Sequence, residues 1–283
     1  EFPVSQNKIY IHHDIYDTPM VDSEKEKNLI KTLYKCDYIF LSSDIAIVAL
    51  KKKINKFYEI ESNIKKPSLI NTGYLKLDHV YQKLKNDNRI EDSVLLAPTL
   101  SSMLTDYNLD EYLDSIIKEI LNNTKFKLIY RPHPADKTDI KKGPIIKNIY
   151  EKYKNNKNFI LDENSSYIDS YKRSRMLITD FSGTAYTYSF SKLRPIIFFS
   201  KNENNIIKGN FNELSFFKDR LDVGMIVQNI NNLNKEIYSI DQQIDSFLIK
   251  IKLLRSKRIK FFNSSIQENV INLKNILMNK SSK

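Results

Sequence analysis

Two short segments carry residue types suited to binding phosphate: Arg131-Pro132-His133-Pro134 and Thr179-Asp180-Phe181-Ser182-Gly183-Thr184. An arginine fork can meet a phosphate through two parallel hydrogen bonds. His133 adds a donor or an acid, and the flanking prolines fix φ and stiffen the loop. In the second segment Gly183 admits a close backbone approach, and Ser182 and Thr184 supply hydroxyls. A helix expected to follow offers N–H groups and the positive end of its dipole to a diphosphate. The plain alternatives are a Pro-rich connection and an ordinary helix cap. Both lose weight if the two loops reach one sheet edge.

Two further segments qualify. His12-His13-Asp14 ends an apolar run, where a histidine can serve as a general base near neutral pH, with Asp14 or Asp17 orienting it. Side chains alternate along a strand, so at most one of His12 and His13 faces a site. The competing reading is a surface histidine. Pro98-Thr99-Leu100-Ser101-Ser102 carries hydroxyls that suit a phosphate, or is simply a polar loop. The histidine pair lacks a third ligand at finger or helical spacing, so no metal site is expected. The patterns G-x-x-x-x-G-K-S/T and G-x-G-x-x-G are absent, which disfavours a P-loop ATPase or a common dinucleotide enzyme. No G-x-S-x-G elbow is present either.

Such segments need strand ends to carry them. Strands are expected at Lys8–His12, Asp37–Leu41, Ser68–Thr72, Val94–Ala97, Phe126–Tyr130, Phe159–Leu161, Met176–Thr179, Pro195–Phe199 and Met225–Val227. Helices are expected at Ser23–Tyr34, 45–53, Leu75–Leu84, Asp110–Asn122, Ile146–Tyr153, Tyr167–Arg173, Ala185–Ser191 and across the polar stretch 231–280. Alternating strands and helices predict an α/β protein with parallel, doubly wound sheets, which bind ligands at the C-terminal ends of their strands. Residues 88–92 read as a linker between two such units.

The chain has 283 residues and a formal charge of +11, from 45 Lys and Arg against 34 Asp and Glu. That is length enough for two modest cores. The charge favours anionic partners, although a Lys-, Asn- and Ile-rich composition raises it without any binding role. Cys36 is the only cysteine, which excludes a disulfide within the chain and fits a reducing, cytoplasmic compartment. No apolar run approaches the ~20 residues of a membrane span, and no signal peptide is visible. The chain opens on Glu1-Phe2-Pro3, and its first unit has three clear strands, so upstream sequence is expected to be missing. Near the other end, Ile244, Phe247, Leu248, Ile251 and Leu254 share a helical face beside Lys250, Lys252, Arg255, Lys257, Arg258 and Lys260. The favoured reading packs that face on the protein. The alternative lays it on an anionic membrane surface.

The order of these segments resembles the CDP-glycerol glycerophosphotransferase family, the teichoic-acid and capsule polymerases of bacteria. The resemblance rests on His13, Arg131–Pro134, Thr179–Thr184 and Arg194-Pro195-Ile196-Ile197-Phe198-Phe199. Asn71–Asp78 is similar to the family's T-G-x-x-R-x-D segment, and Val94–Thr99 to its L-x-A-P-T strand. It covers most of residues 8–230. It implies a GT-B fold with two Rossmann-like domains facing a cleft. The domains expected are an acceptor-side domain over 1–90, small or incomplete, and a donor-binding domain over 91–240. Helices over 241–283 would pack back on them. It also implies a polyol phosphate, glycerol or ribitol phosphate, moved from a CDP-activated donor to a surface-glycan or lipid-linked acceptor, with release of CMP and no added cofactor. His13 would be the base. His133 would be the second catalytic group and, with Arg131, would neutralise the pyrophosphate. Thr99, Asp180, Ser182, Gly183 and Thr184 would bind the donor, with Asp14 and Pro98 in support.

Departures accompany the likeness. The family's H-G-x-P-x-K run is here His13-Asp14-Ile15-Tyr16-Asp17-Thr18-Pro19-Met20, which lacks the glycine and the basic residue, and Gly183 stands where a second serine is usual. A nucleotide-sugar glycosyltransferase of the same fold, acting in capsule or lipooligosaccharide assembly, is the alternative. A non-catalytic module for an anionic polymer ranks below both, and nucleic acid is not an expected partner because no RNA-binding signature is present. The expected location is the cytoplasm, with the inner face of the cell membrane as the site of a peripheral contact.

Overall fold

The computed structural model describes residues 7–12, 14–16, 28, 30–58, 65–87, 89, 91–102, 109–209, 211 and 214–278. Its strands form two parallel sheets. The first holds β1 (Ile9–Ile11), β2 (Tyr38–Leu41) and β3 (Ser68–Asn71) in the order β1-β2-β3. Helices α1 (Asp44–Tyr58) and α2 (Leu75–Leu84) follow β2 and β3. The second sheet holds β4 (Ser93–Leu96), β5 (Lys127–Tyr130), β6 (Phe159–Leu161), β7 (Ser174–Thr179), β8 (Ile196–Phe199) and β9 (Gly224–Val227). Their order is β6-β5-β4-β7-β8-β9, which reverses direction between β4 and β7. A doubly wound sheet binds its ligand outside the strand ends at that reversal. The loops after β4, β5 and β7 are the segments Pro98–Ser102, Arg131–Pro134 and Asp180–Gly183.

The second sheet is covered by α3 (Leu113–Asn123), α4 (Pro134–Lys137), α5 (Lys142–Tyr153), α6 (Ile168–Arg173) and α7 (Thr184–Lys192). Further along come α8 (Glu203–Lys208), α9 (Ser215–Lys218), α10 (Arg220–Val223), α11 (Leu233–Gln242), α12 (Ile244–Arg258) and α13 (Ser265–Met278). Strands covered on both faces read as unbroken apolar runs. Val94-Leu95-Leu96 and Ile196-Ile197-Phe198-Phe199 do so, and every one of these side chains is buried. Each contributes about 1.5–3 kcal/mol of hydrophobic stabilisation. In α3, Leu113, Ile116, Ile117 and Ile120 turn inward at helical spacing. The helix expected from Asp110 starts three residues later, because Asp110–Tyr112 form a tighter 3₁₀ turn, a common way for a helix to begin. In α12, Ile244, Phe247, Ile251 and Leu254 are buried and Leu248 is half-buried, so the face that a membrane would need is already covered.

Two compact units emerge: residues Lys83–Leu254, and Glu1–Gln82 together with Arg255–Lys283. The later boundary falls inside α12, so α13 is counted with the first unit. The segment Asn71–Asp78 explains how α13 is held there. Gly73 follows β3 with φ +75°, and a Cβ on it would lie 2.8 Å from Ser265 Cβ and 2.9 Å from Phe261 Cβ. Asp78, buried in α2, accepts the N–H groups of Asn263 at 2.6 Å and Ser265 at 2.8 Å, and also the Ser265 hydroxyl. These are free N–H groups at the start of α13, the kind a carboxylate cap satisfies. Asn269 Nδ2 donates to the Thr72 carbonyl at 3.1 Å. Asp78→Ala is therefore expected to cost about 1–3 kcal/mol by leaving buried donors unmatched. Gly73→Ala is expected to destabilise at least as much, through the left-handed φ and the missing space. Urea unfolding followed in both variants checks this; unchanged midpoints would show that α13 is held elsewhere.

Candidate active site

The site is built from the C-terminal ends of β4, β5 and β7. At the end of β7, the Thr179 hydroxyl donates to the Ala97 carbonyl at 2.6 Å. Asp180, fully buried, accepts the Thr99 N–H at 3.0 Å and the Phe181 N–H at 2.8 Å on Oδ1, and the Leu109 N–H at 3.2 Å on Oδ2. Burial pushes its carboxyl up to about 6, against the pull of these N–H groups. One carboxylate thus pins both Thr99 and Leu109. Expected as a donor-binding residue, Asp180 is placed as a post that holds the loop after β4.

Ser182, Gly183 and Thr184 lead into α7. The Thr184 N–H points to Ser182 Oγ at 3.4 Å, and Gly183 has an ordinary helical φ of −58°. Thr184 Oγ1 lies 2.6 Å from the hydroxyl of Tyr171, a ring fully buried in α6. Residues Ala185 to Ser191 are all buried. A helix covered on every side is an interior element, and α7 runs into the protein from the sheet edge. Phe181 packs on Phe217 with ring centroids 5.5 Å apart, which anchors the turn.

Beyond β5 the Arg131 guanidinium is turned toward the loop after β6. It bonds Asp162 Oδ2 at 2.6 Å and the carbonyls of Ser166 and Ser165 at 3.5 and 3.4 Å, and it lies 5.9 Å from the Tyr167 ring centroid. Burial alone would raise the Asp162 carboxyl. Bonds from Ser170, Arg131 and Asn164 outweigh that and hold it below the usual carboxylate range. Arg131 thus has its charge balanced by a buried partner.

His133 caps α4, with its Nδ1 accepting the Ala135 N–H at 3.2 Å. A nitrogen that accepts carries no proton, so in the neutral ring the proton sits on Nε2. Burial lowers the imidazole pKa and Asp136 opposes it, the net shift being downward. His133 therefore presents Nε2–H as an uncharged donor at neutral pH.

The structure brings Pro98, Thr99, Arg131, His133, Asp180, Ser182, Gly183 and Thr184 to one edge of the second sheet. In the first unit, Asp14 is buried and its Oδ1 accepts the Ile15 N–H at 2.6 Å, while Ser42 ties Ile15 to the end of β2. His13 and Asp17 lie outside the described residues. Among the described residues, no group of three His, Cys, Asp or Glu side chains could hold a metal ion, and no helix is long and apolar enough to cross a membrane. Sequence reasoning passed over Asp136, Asp162 and Tyr171, the groups that hold His133, Arg131 and Thr184. The Asp three residues after His133 was a visible signal, since an acidic residue in a first helical turn often bonds locally.

Residues 9–274 match the profile of the CDP-glycerol:poly(glycerophosphate) glycerophosphotransferase family. Among solved structures, the wall teichoic acid polymerase TagF superimposes with a TM-score of 0.61 at 18% identity, over 98% of this chain and 70% of that one. A His-to-Asn variant of TagF with CDPG gives 0.57 at 19%, over 93% and 63%. The UDP-GlcNAc 2-epimerase of Methanocaldococcus jannaschii, in complex with UDP-GlcNAc and UDP, gives 0.51 at 17%, over 82% and 62%. At these identities the likeness shows the GT-B type of fold. No curated protein matches the chain in sequence.

Proposed function

Because the chain belongs to the CDP-glycerol:poly(glycerophosphate) glycerophosphotransferase family, we propose that it moves glycerol phosphate or ribitol phosphate from a CDP-linked donor to a hydroxyl of a surface-glycan or lipid-linked acceptor. The chain is a transferase, and its donor is a CDP-activated polyol. The observation that carries the site assignment is the His133 imidazole, half-buried at a strand end close to the sheet reversal, with Nδ1 accepting the Ala135 N–H and burial lowering its pKa.

The acceptor oxygen attacks the phosphorus that bears the polyol, and the bond from that phosphorus to the bridging oxygen breaks. His13 takes the acceptor proton. CMP leaves with the bridging oxygen and its electron pair. His133 donates from Nε2 to the pyrophosphate, and Ser182, Gly183 and the start of α7 hold a phosphate by N–H groups and hydroxyl. Thr184 shares its hydroxyl with Tyr171 and sets the rim of that cradle. Asp180 holds Thr99 in place. Arg131, balanced by Asp162, builds the wall beside His133 and adds no net charge to the pyrophosphate. Such a site works by positioning and charge stabilisation, as phosphoryl transfer generally does.

The single cysteine supports a reducing compartment on the cytoplasmic side. Contact with an anionic membrane would run through the charges of Lys250, Lys252 and Lys257, since the apolar face of α12 is buried.

A thermal-shift series tests the reading. CDP-glycerol or CDP-ribitol at 100 times Kd should stabilise by about 2.7 kcal/mol, a rise of several degrees for a chain of this size. CMP should also stabilise, and UDP- and GDP-sugars should not. His13→Ala should keep the shift and lose transfer. Stabilisation by a UDP- or GDP-sugar alone would mark a glycosyltransferase, and no response to any nucleotide would end the proposal.

A further inference from the structure

A helix of one turn does not hold itself together, yet His133 depends on one for its direction. In α4, Pro134 and Ala135 are exposed, and Asp136 is the buried residue, 5% exposed. Its carboxylate reaches the loop after β4. The Ser101 N–H lies 3.3 and 3.1 Å from its two oxygens, and the Ser101 hydroxyl lies 3.0 Å from Oδ2. The same hydroxyl is 2.9 Å from Asp110 Oδ1 in the 3₁₀ turn, and Lys142, first residue of α5, bonds Oδ2 of Asp110. Four segments therefore meet through Ser101, Asp110 and Asp136: the loop after β4, the 3₁₀ turn, α4 and α5. The space among them is a cavity of 20 Å³ lined by Pro98, Tyr130 and Pro132 as well as these polar groups, room for about one water. None of it opens a second ligand site.

We propose that Asp136 is the positioning residue of the candidate site: by gripping Ser101 it fixes α4 against the loop after β4, and so fixes where the His133 imidazole points. The inference rests on the reading of His133 as the group that meets the donor pyrophosphate. Asp136 itself touches no substrate. Its charge acts on the imidazole as well, raising the ring's affinity for a proton against the burial that lowers it. A brace that only held the loop would not affect that balance.

The test follows the His133 ring by NMR through a pH titration, its signal assigned with His133→Asn, alongside kcat and KM for transfer. In Asp136→Asn the titration midpoint should move to lower pH, because the opposing negative charge is gone. kcat should fall by roughly 10–100-fold with little change in KM, the scale of loss that a displacement of about 1 Å produces. Asp136→Glu keeps the charge on a longer arm and serves if the Asn variant does not fold. Its midpoint should stay at the parent value while kcat falls. An unmoved midpoint in a folded Asp136→Asn protein, or a midpoint lowered equally by Glu, overturns the inference. A moved midpoint with unchanged turnover would uphold the link from Asp136 to His133 and remove His133 from the proposed reaction.

Discussion

His133→Asn is expected to leave the thermal midpoint close to the parent value and to cut kcat by about 10²–10⁴-fold. The two ring nitrogens have separate tasks. Nδ1 accepts the Ala135 N–H and caps α4. An Asn oxygen sits where Nδ1 was, and Asn is among the best capping residues. What the substitution removes is Nε2–H. His133→Gln does the reverse: its amide nitrogen reaches about as far as Nε2, but the cap is lost. Gln should keep more activity than Asn and lose more stability. CMP release and thermal unfolding measured on both variants separate the tasks. Near-parent turnover in the Asn variant would exclude the Nε2 donor.

The same geometry sets a pH dependence. The folded pKa of His133 lies below its ordinary value, so the unfolded chain binds the extra proton more readily. The stability tied to the neutral ring is present above the unfolded value, about 6.5. It is lost as pH falls through the folded value, because burial penalises the charged ring. In His133→Asn this part of the pH dependence should vanish.

Arg131→Met is expected to cost about 3–5 kcal/mol, the usual penalty for stranding one half of a buried ion pair. Arg131 and Asp162 are 10% and 4% exposed, and the bond between them is 2.6 Å. Adding Asp162→Asn to Arg131→Met should recover part of the loss, since no unmatched charge then remains. Denaturant unfolding of the two single variants and the double gives the coupling. If the losses simply add, the pair is not a unit. The sign with pH follows from Asp162, whose folded pKa is depressed. Its contribution is present above the unfolded carboxyl value, about 3.9, and is lost as pH falls through the folded value. Arg131→Met removes one of the bonds that depress it, so acid unfolding should begin at higher pH than in the parent. An arginine reserved for phosphate would show the opposite pattern: weak donor binding, with stability and acid unfolding unchanged.

Much of the fold is legible in the sequence for one reason. Buried parallel strands are continuous apolar runs, and Val94–Leu96, Leu128–Tyr130, Met176–Ile178 and Ile196–Phe199 stand out between polar stretches. The short helices α4, α8, α9 and α10, of four to six residues, carry little amphipathic period and are not read from the sequence, whereas the six-residue α6 is. The docking of α13 on Gly73 and Asp78 is hidden too. Those residues read as a turn glycine and a helix carboxylate, and their partners, Asn263 and Ser265, lie more than 180 positions away.

The sequence by itself determined which residues stand at the strand ends, because the apolar runs decide where strands stop and the polar residues that follow must surface there. The order of those residues along the chain also determined the family. Only the tertiary structure decided which polar groups face one another. Arg131, Asp180 and His133 look alike in sequence, as polar residues after a strand. In the fold, Asp180 is spent on backbone N–H groups and Arg131 on Asp162, and His133 has its Nδ1 committed to the Ala135 N–H. That division depends on Asp136, Asp162 and Leu109, which a sheet edge brings close and a sequence keeps apart.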